Sequence, residues 1–358
     1  MSAGGPRFSV VLPTHNRADV LGFAVESVLA QTEKNFELLL VADGCTDNTR
    51  AVVGAFRDER IRFFDFPKAP NFGYANRNIA LREARGRLVA FAAHDDLLLP
   101  DHLERMGALL DRTGAAWAYS RPLWVSTDGY IVPFGTNLGL SDEFRDFYEG
   151  DNTIPAACII HTREALQRAG FWPEEAPEGG DRLLWRKMLA DHPGRHAWLT
   201  EPTNLHFSAS WKNSRHANSL QVATILELAE TAAWWPRILR HPSVPGCEQG
   251  TIWRAMQEGG SAWPGELRAA TDLVINRIAW MAVKEFLPRL RQSGEELAVT
   301  RAAALSQDVL IAQLRQENDE ATTRGALALA EQEAIVRSRS WRLTRPLREL
   351  SRWMSRGH

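Results

Sequence analysis

Short apolar runs alternate with amphipathic segments through the first half of the chain. Phe8 to Leu12 reads as a buried strand stopped by Pro13. Asn16, with Asp19 three positions on, reads as a helix N-cap, and Leu21, Val25, Val28 and Leu29 then fall on one face of the helix it starts. Phe36 to Ala42 is a second strand ending at Asp43-Gly44. Thr46 is placed to cap the next helix, with Val52, Val53 and Phe56 inward. Ile61 to Phe66 is a third strand, Tyr74 to Ala84 a helix and Leu88 to Ala93 a fourth strand. Strand and helix alternating at this spacing predict a mostly parallel sheet with helices on both faces.

Further on the pattern loosens. Asp101 to Leu110 reads as a helix and Ala115 to Tyr119 as a strand, whereas 121–152 is irregular and rich in Gly, Asp and aromatic residues. Ile154 to His161 is an apolar strand followed by a helix to about Ala169. After the Pro- and Gly-rich loop Gly170 to Gly180, Asp181 starts a helix that buries Leu184, Met188 and Leu189. Beyond about Ala217 the chain turns helical, and Glu295 to Arg337 reads as one long helix with a weak heptad stripe, a route to self-association. These shifts divide the chain into 1–217, 218–292 and 293–358, with the first part split near 120.

Composition narrows the class. A net charge of -2 gives no basic field for nucleic acid. The three cysteines form no CxxC pair, which fits a reducing cytoplasm. The N-terminus enters a strand at once, with no leader pattern, and the longest apolar stretches are too short to cross a bilayer. The protein is therefore expected in the cytoplasm.

Ligands in parallel sheets bind beyond the carboxyl ends of the strands. Here those ends are Pro13 to Arg17, Asp43 to Asp47 and His94 to Asp96, all polar. The adjacent carboxylates Asp95 and Asp96 suit a hard cation, Mg2+ or Mn2+, that also holds two phosphates. Asp43 can accept from a base or ribose, though taken alone an Asp-Gly turn is the better account of it. Arg77, at a helix start, can meet a diphosphate as a fixed cation, and an ordinary surface helix start accounts for it at least as well. Asp181 can serve as a general base or as an ordinary N-cap, and His206 as a third metal ligand or a structural histidine.

In order and spacing, FSVVLPTHNRADVLGFAVESVLAQT, FELLLVADGCTDNT, NFGYANRNIALREARGRLVAFAAHDDLLLPDHLERM and EGGDRLLWRKML resemble the inverting glycosyltransferases of family 2, over roughly residues 7 to 215. The resemblance implies a GT-A type, Rossmann-like α/β domain followed by an α-helical C-terminal region. It implies that Pro13, Thr14 and Arg17 line a nucleotide pocket, that Asp43 contacts base or ribose, and that Arg77 lies near the diphosphate. Asp95 takes the last position of the family's Asp-x-Asp motif with Asp96 beside it, Asp181 the position of the base, and His206 that of a late metal or diphosphate ligand. Ala42, Ala93 and Gly180 depart from the pattern, each standing where an acidic residue is usual.

The implied reaction moves a sugar from a nucleotide-diphosphate sugar to a glycan or lipid-linked acceptor, with inversion, in bacterial cell-surface polysaccharide synthesis. The arginine-rich segment Arg337 to His358, with Trp341 and Trp353 among its arginines, is similar to tails on bacterial polysaccharide glycosyltransferases; it suits an anionic membrane surface or a partner protein. Two other readings stay open: a nucleotide-binding scaffold of a polysaccharide assembly complex, and a metal-dependent phosphohydrolase or nucleotidyltransferase.

Overall fold

Alternate residues of the central strands face opposite sides of the sheet, and both sides are covered. Phe8, Val10 and Leu12 of β1 (Phe8–Thr14) and Leu38 and Leu40 of β2 (Phe36–Asp43) pack with Leu21, Val25 and Val28 of α1 (Ala18–Leu29) and with Leu103 and Met106 of α4 (His102–Thr113). Val11, Leu39 and Val41 face the other way, onto α3 (Tyr74–Arg82), α6 (Arg163–Ala169) and α7 (Gly180–Asp191). Burial on both faces is why these strands read as continuous apolar runs. This computed structural model describes residues 5–150, 152–208 and 220–292, with scattered helical positions between 316 and 331.

The remaining elements are α2 (Thr49–Ala55), β3 (Ile61–Phe66), β4 (Leu88–Phe91), β5 (Leu97–Leu98), β6 (Trp117–Val125), β7 (Ile131–Pro133), α5 (Ser141–Glu149), β8 (Ile159–Thr162), β9 (His196–Phe207), α8 (Leu220–Thr231), α9 (Glu248–Gly259) and α10 (Trp263–Gln292). The strands form one sheet in the order β3-β2-β1-β4-β8-β6-β9-β5, with β7 beside β6. β3, β2, β1 and β4 run parallel; β8 is antiparallel to both β4 and β6. The chain leaves β1 for β2 and β3 on one side and returns for β4 on the other. The carboxyl ends of β1 and β4 therefore flank a topological switch point, where a crevice opens.

Several local expectations are corrected. Asn16 does not cap α1: it lies at φ 50° and its side chain accepts from Thr46 N at 2.7 Å. The cap comes from across the loop, where Asp47 accepts from Ala18 N at 2.8 Å while its other oxygen accepts from Thr49 N at 3.1 Å. One carboxylate thus serves the starts of α1 and α2, and Thr46 caps neither. The strand expected from Ile154 is shorter, because Pro155 opens a 3-10 turn over Ala156–Cys158 and β8 begins only at Ile159. The region 121–152 is more ordered than its composition suggests, holding the end of β6, then β7 and α5.

The described chain falls into two compact units, Met1–Ile278 and Ala279–His358. Helices expected to form a region of their own from 218 onward pack within the first unit. Trp124 of β6, Ile131 of β7 and Leu205 and Phe207 of β9 share one core with Val222 and Leu226 of α8, Ile252 and Met256 of α9, and Trp263 and Leu267 of α10. In the second unit, Lys284 Nζ lies 5.1 Å from the Trp280 ring centre. Most of the expected helix over 293–337, and the arginine-rich tail 337–358, lie outside the described residues. Among the described residues no helix is long and apolar enough to cross a membrane.

Candidate active site

The end of β1 supplies Pro13 and Thr14. Thr14 is 2% exposed, and its hydroxyl is buried without a hydrogen-bond partner. Arg17, at the entry to α1, pairs with Asp19 at 3.0 Å and borders the cleft that also holds Asp95. At the end of β2 the Asp43 carboxylate is already held by the protein. It accepts from Asn76 Nδ2 at 2.7 Å, Ala69 N at 2.8 Å and Lys68 Nζ at 2.5 Å. Gly73, at φ 71°, lies where any Cβ would meet that carboxylate. Asp43 thus organises the loop that leads into α3, and a base or ribose would share an acceptor with three protein donors.

The Asn76-Arg77-Asn78 triplet fans out from the first turn of α3. Asn76 goes to Asp43. Asn78 clamps the backbone of Trp172 from both sides, donating to its carbonyl at 2.9 Å and accepting from its N–H at 3.0 Å. So anchored, Trp172 stacks on Tyr74 with ring centres 5.4 Å apart. Arg77 lies over both rings, 4.2 Å from Trp172 and 5.2 Å from Tyr74. Its guanidinium makes no hydrogen bond or ion pair with another described residue, and its Nε is buried unpaired. Burial draws its pKa down to about 10, while Tyr74, Asp181 and Asp43 act in the opposite sense. It remains a cation at neutral pH, packed on two rings with no anion bonded to it among the described residues.

Asp181 stands in the first turn of α7. Asn152 donates to its Oδ2 at 2.6 Å, and Arg182 N to its Oδ1 at 2.8 Å. The preceding residue explains one departure from the family pattern: Gly180 N donates to the Tyr74 hydroxyl at 3.1 Å, and a Cβ on residue 180 would overlap the Tyr74 ring. No glutamate fits there while Tyr74 keeps its place beneath Arg77.

Beyond β4, Asp95 and Asp96 face different ways. Asp96 is 3% exposed; its oxygens accept from His206 Nδ1 at 3.0 Å and from Phe207 N at 3.1 Å. It fixes the orientation of the His206 ring, with Nδ1 as the donor to the carboxylate. Asp95 is partly exposed in the cleft, 3.9 Å from His94. Burial pulls its pKa up, but His94, His206 and Arg17 outweigh it and hold the carboxyl below its usual range. Among the described residues no group of three or more His, Cys, Asp or Glu is placed to hold a metal ion. Of the three expected ligands, Asp96 is bonded to His206 and Phe207, while Asp95 borders the cleft. The donor set fits a different arrangement, one carboxylate on a cation whose other ligands are substrate phosphates and water, as Mg2+ commonly takes.

The far wall of this cleft comes from a part of the chain where the sequence suggested only helices. Glu248 and Gln249 of α9 line it together with Arg17, Asp95 and Ser208. Burial pushes the Glu248 carboxyl up, and Gly246 N donates to it at 2.6 Å. Sequence reasoning also missed Tyr74, Trp172 and Asn152. The Gly179-Gly180 pair was a legible sign that something approaches the start of α7 closely.

Residues 9–167 match the family model for glycosyl transferase family 2. An uncharacterized glycosyltransferase of Rickettsia felis is 30% identical over 183 residues, 50% of this chain and 29% of that protein. The UDP-Glc:alpha-D-GlcNAc-diphosphoundecaprenol beta-1,3-glucosyltransferase WfgD of Escherichia coli is 34% identical over 126 residues, 35% of this chain and 49% of that one. The chain thus spans half or less of the length of these relatives. The crystal structure of S. aureus TarS 1-349 in complex with UDP-GlcNAc is similar with a TM-score of 0.47 and 22% identity, over 56% of this chain and 58% of that chain.

Proposed function

We propose, on the match of residues 9–167 to glycosyl transferase family 2, that the protein transfers a sugar, with inversion, from a nucleotide-diphosphate sugar to a hydroxyl of a glycan or lipid-linked acceptor, in bacterial cell-surface polysaccharide synthesis. The observation that carries the reading is Arg77, a cation with no ion-pair partner among the described residues, braced by Tyr74 and Trp172 and felt by both Asp43 and Asp181. A rigid guanidinium without a protein anion is suited to a diphosphate.

In this reading the nucleotide lies over the ends of β1 and β2, against Pro13, Thr14, Arg17 and Asp43. Asp181, its Oδ2 held by Asn152, takes the proton of the acceptor hydroxyl. That oxygen bonds to the anomeric carbon as the bond from that carbon to the diphosphate oxygen breaks. The nucleoside diphosphate leaves with the electron pair, and Arg77 faces the charge that develops. Mg2+ or Mn2+, when bound, would supply further neutralisation of the diphosphate. Asp95 is the residue that would hold it, with Asp96 beside it bonded to His206.

Thermal shift with a panel of nucleotide sugars and nucleoside diphosphates, with and without Mn2+, tests the donor reading, which fails if none of them stabilises the protein. Asp181→Asn is expected to lower transfer by about 10²- to 10⁴-fold while leaving donor binding intact. Unchanged transfer would remove Asp181 from the role of base.

A further inference from the structure

The family match ends at residue 167, yet the cleft beside Asp95 is lined in part by residues more than seventy positions later. The first turn of α9 reaches it because α9 lies against α1, where Gly250 meets the Phe23 ring with no side chain between them. That approach brings Gln249 to the turn after β4. Gln249 is 3% exposed, and its Nε2 donates to the backbone carbonyl of Asp96 at 3.3 Å. Since a carbonyl can only accept, the amide orientation is fixed, and Oε1 is the end left buried without a partner.

The Asp95-Asp96 turn is therefore held from two sides. β9 holds the Asp96 side chain through His206 and Phe207, and α9 holds the Asp96 backbone through Gln249. Asp95 is left as the one carboxylate of the pair that faces the cleft. We infer that Gln249 is a positioning residue for Asp95: by fixing the Asp96 carbonyl it keeps the neighbouring carboxylate turned toward a cation shared with the donor diphosphate. The inference rests on the proposed donor reading and adds to the site an element outside the family-matched residues. Glu248 beside it shapes the same wall.

The test uses the full chain and calorimetric binding of UDP and of GDP, in Mn2+ and in EDTA. Gln249→Leu removes the amide. Gln249→Glu keeps size and polarity but loses the amide N–H, and it carries the test if the leucine variant does not fold. Thr251→Ala, on the same helix but bonded only to Cys247 O, is the control. The Gln249 variants are expected to lose about tenfold of the Mn2+-dependent affinity, the usual effect of removing an outer-shell partner. Binding in EDTA and the Thr251→Ala variant should stay as in the wild type. A wild-type Mn2+ response in both Gln249 variants overturns the inference, as does an equal loss in Mn2+ and EDTA, which would mark general damage to the cleft. If the wild-type protein binds neither nucleotide, it is the donor reading that falls, taking this inference with it.

Discussion

Gly180 and Tyr74 are complementary at the level of single atoms. The Gly180 N–H donates to the Tyr74 hydroxyl, and the space a Cβ would need is filled by the Tyr74 ring. Gly180→Ala therefore has to displace either the ring or the start of α7. Overpacking of this kind costs about 1–3 kcal/mol. The ring it displaces is one face of the Arg77 brace, so a melting curve should show the loss of stability and a transfer assay a larger fall in rate than that loss explains. Full activity in a stably folded Gly180→Ala variant would show that the brace is not needed. At this scale the sequence was informative about residue types and silent about commitments. Asp43, Asp96 and Asp181 look equivalent along the chain. In the fold Asp43 is held by three donors, Asp96 is consumed in orienting His206, and Asp181 is steered by Asn152 from a loop 29 positions away.

Between elements, buried histidines join helix to strand and make the fold sensitive to acid. His102 of α4 meets the Thr203 hydroxyl of β9 at 2.8 Å, and His161 of β8 packs 5.2 Å from the Phe91 ring of β4. Both are fully buried, and burial draws each pKa from 6.5 down to about 4. Between those values the unfolded chain binds protons that the folded chain refuses. Their contribution is fully present above about pH 6.5 and is lost as pH falls toward 4. The slope is at most about 1.4 kcal/mol per pH unit for each residue. The melting temperature is expected to decline steadily from pH 7 to 5, with a shallower decline in His102→Gln. An unchanged slope in that variant would remove His102 from the account. The elements themselves were largely legible: β3 falls on the residues the alternation marked, and α3 and α6 begin or end where expected. Boundaries failed where a distant group intervened, as when Asp47 reached across the loop to cap α1.

The whole first unit depends on helices beyond the family-matched segment. Trp124, Ile131 and Leu205 are buried by side chains of α8, α9 and α10. A chain ending near residue 217 would expose this apolar face and is expected to aggregate, whereas one ending at Ile278 keeps the core through Val274 and should be soluble. Size-exclusion chromatography and a cooperative melting transition would separate the two outcomes; a soluble, active protein ending near 217 would contradict the shared core. By itself the sequence determined the alternation of strand and helix, the polar strand ends and the order of motifs that marks the family. These are local properties, set by side-chain periodicity and by chemistry at fixed spacing. Only the tertiary structure decided which carboxylate faces the cleft, which aromatic rings brace Arg77 and that α9 lines the cleft beside Asp95. Each of those depends on groups far apart in the chain, brought together by packing that no local pattern encodes.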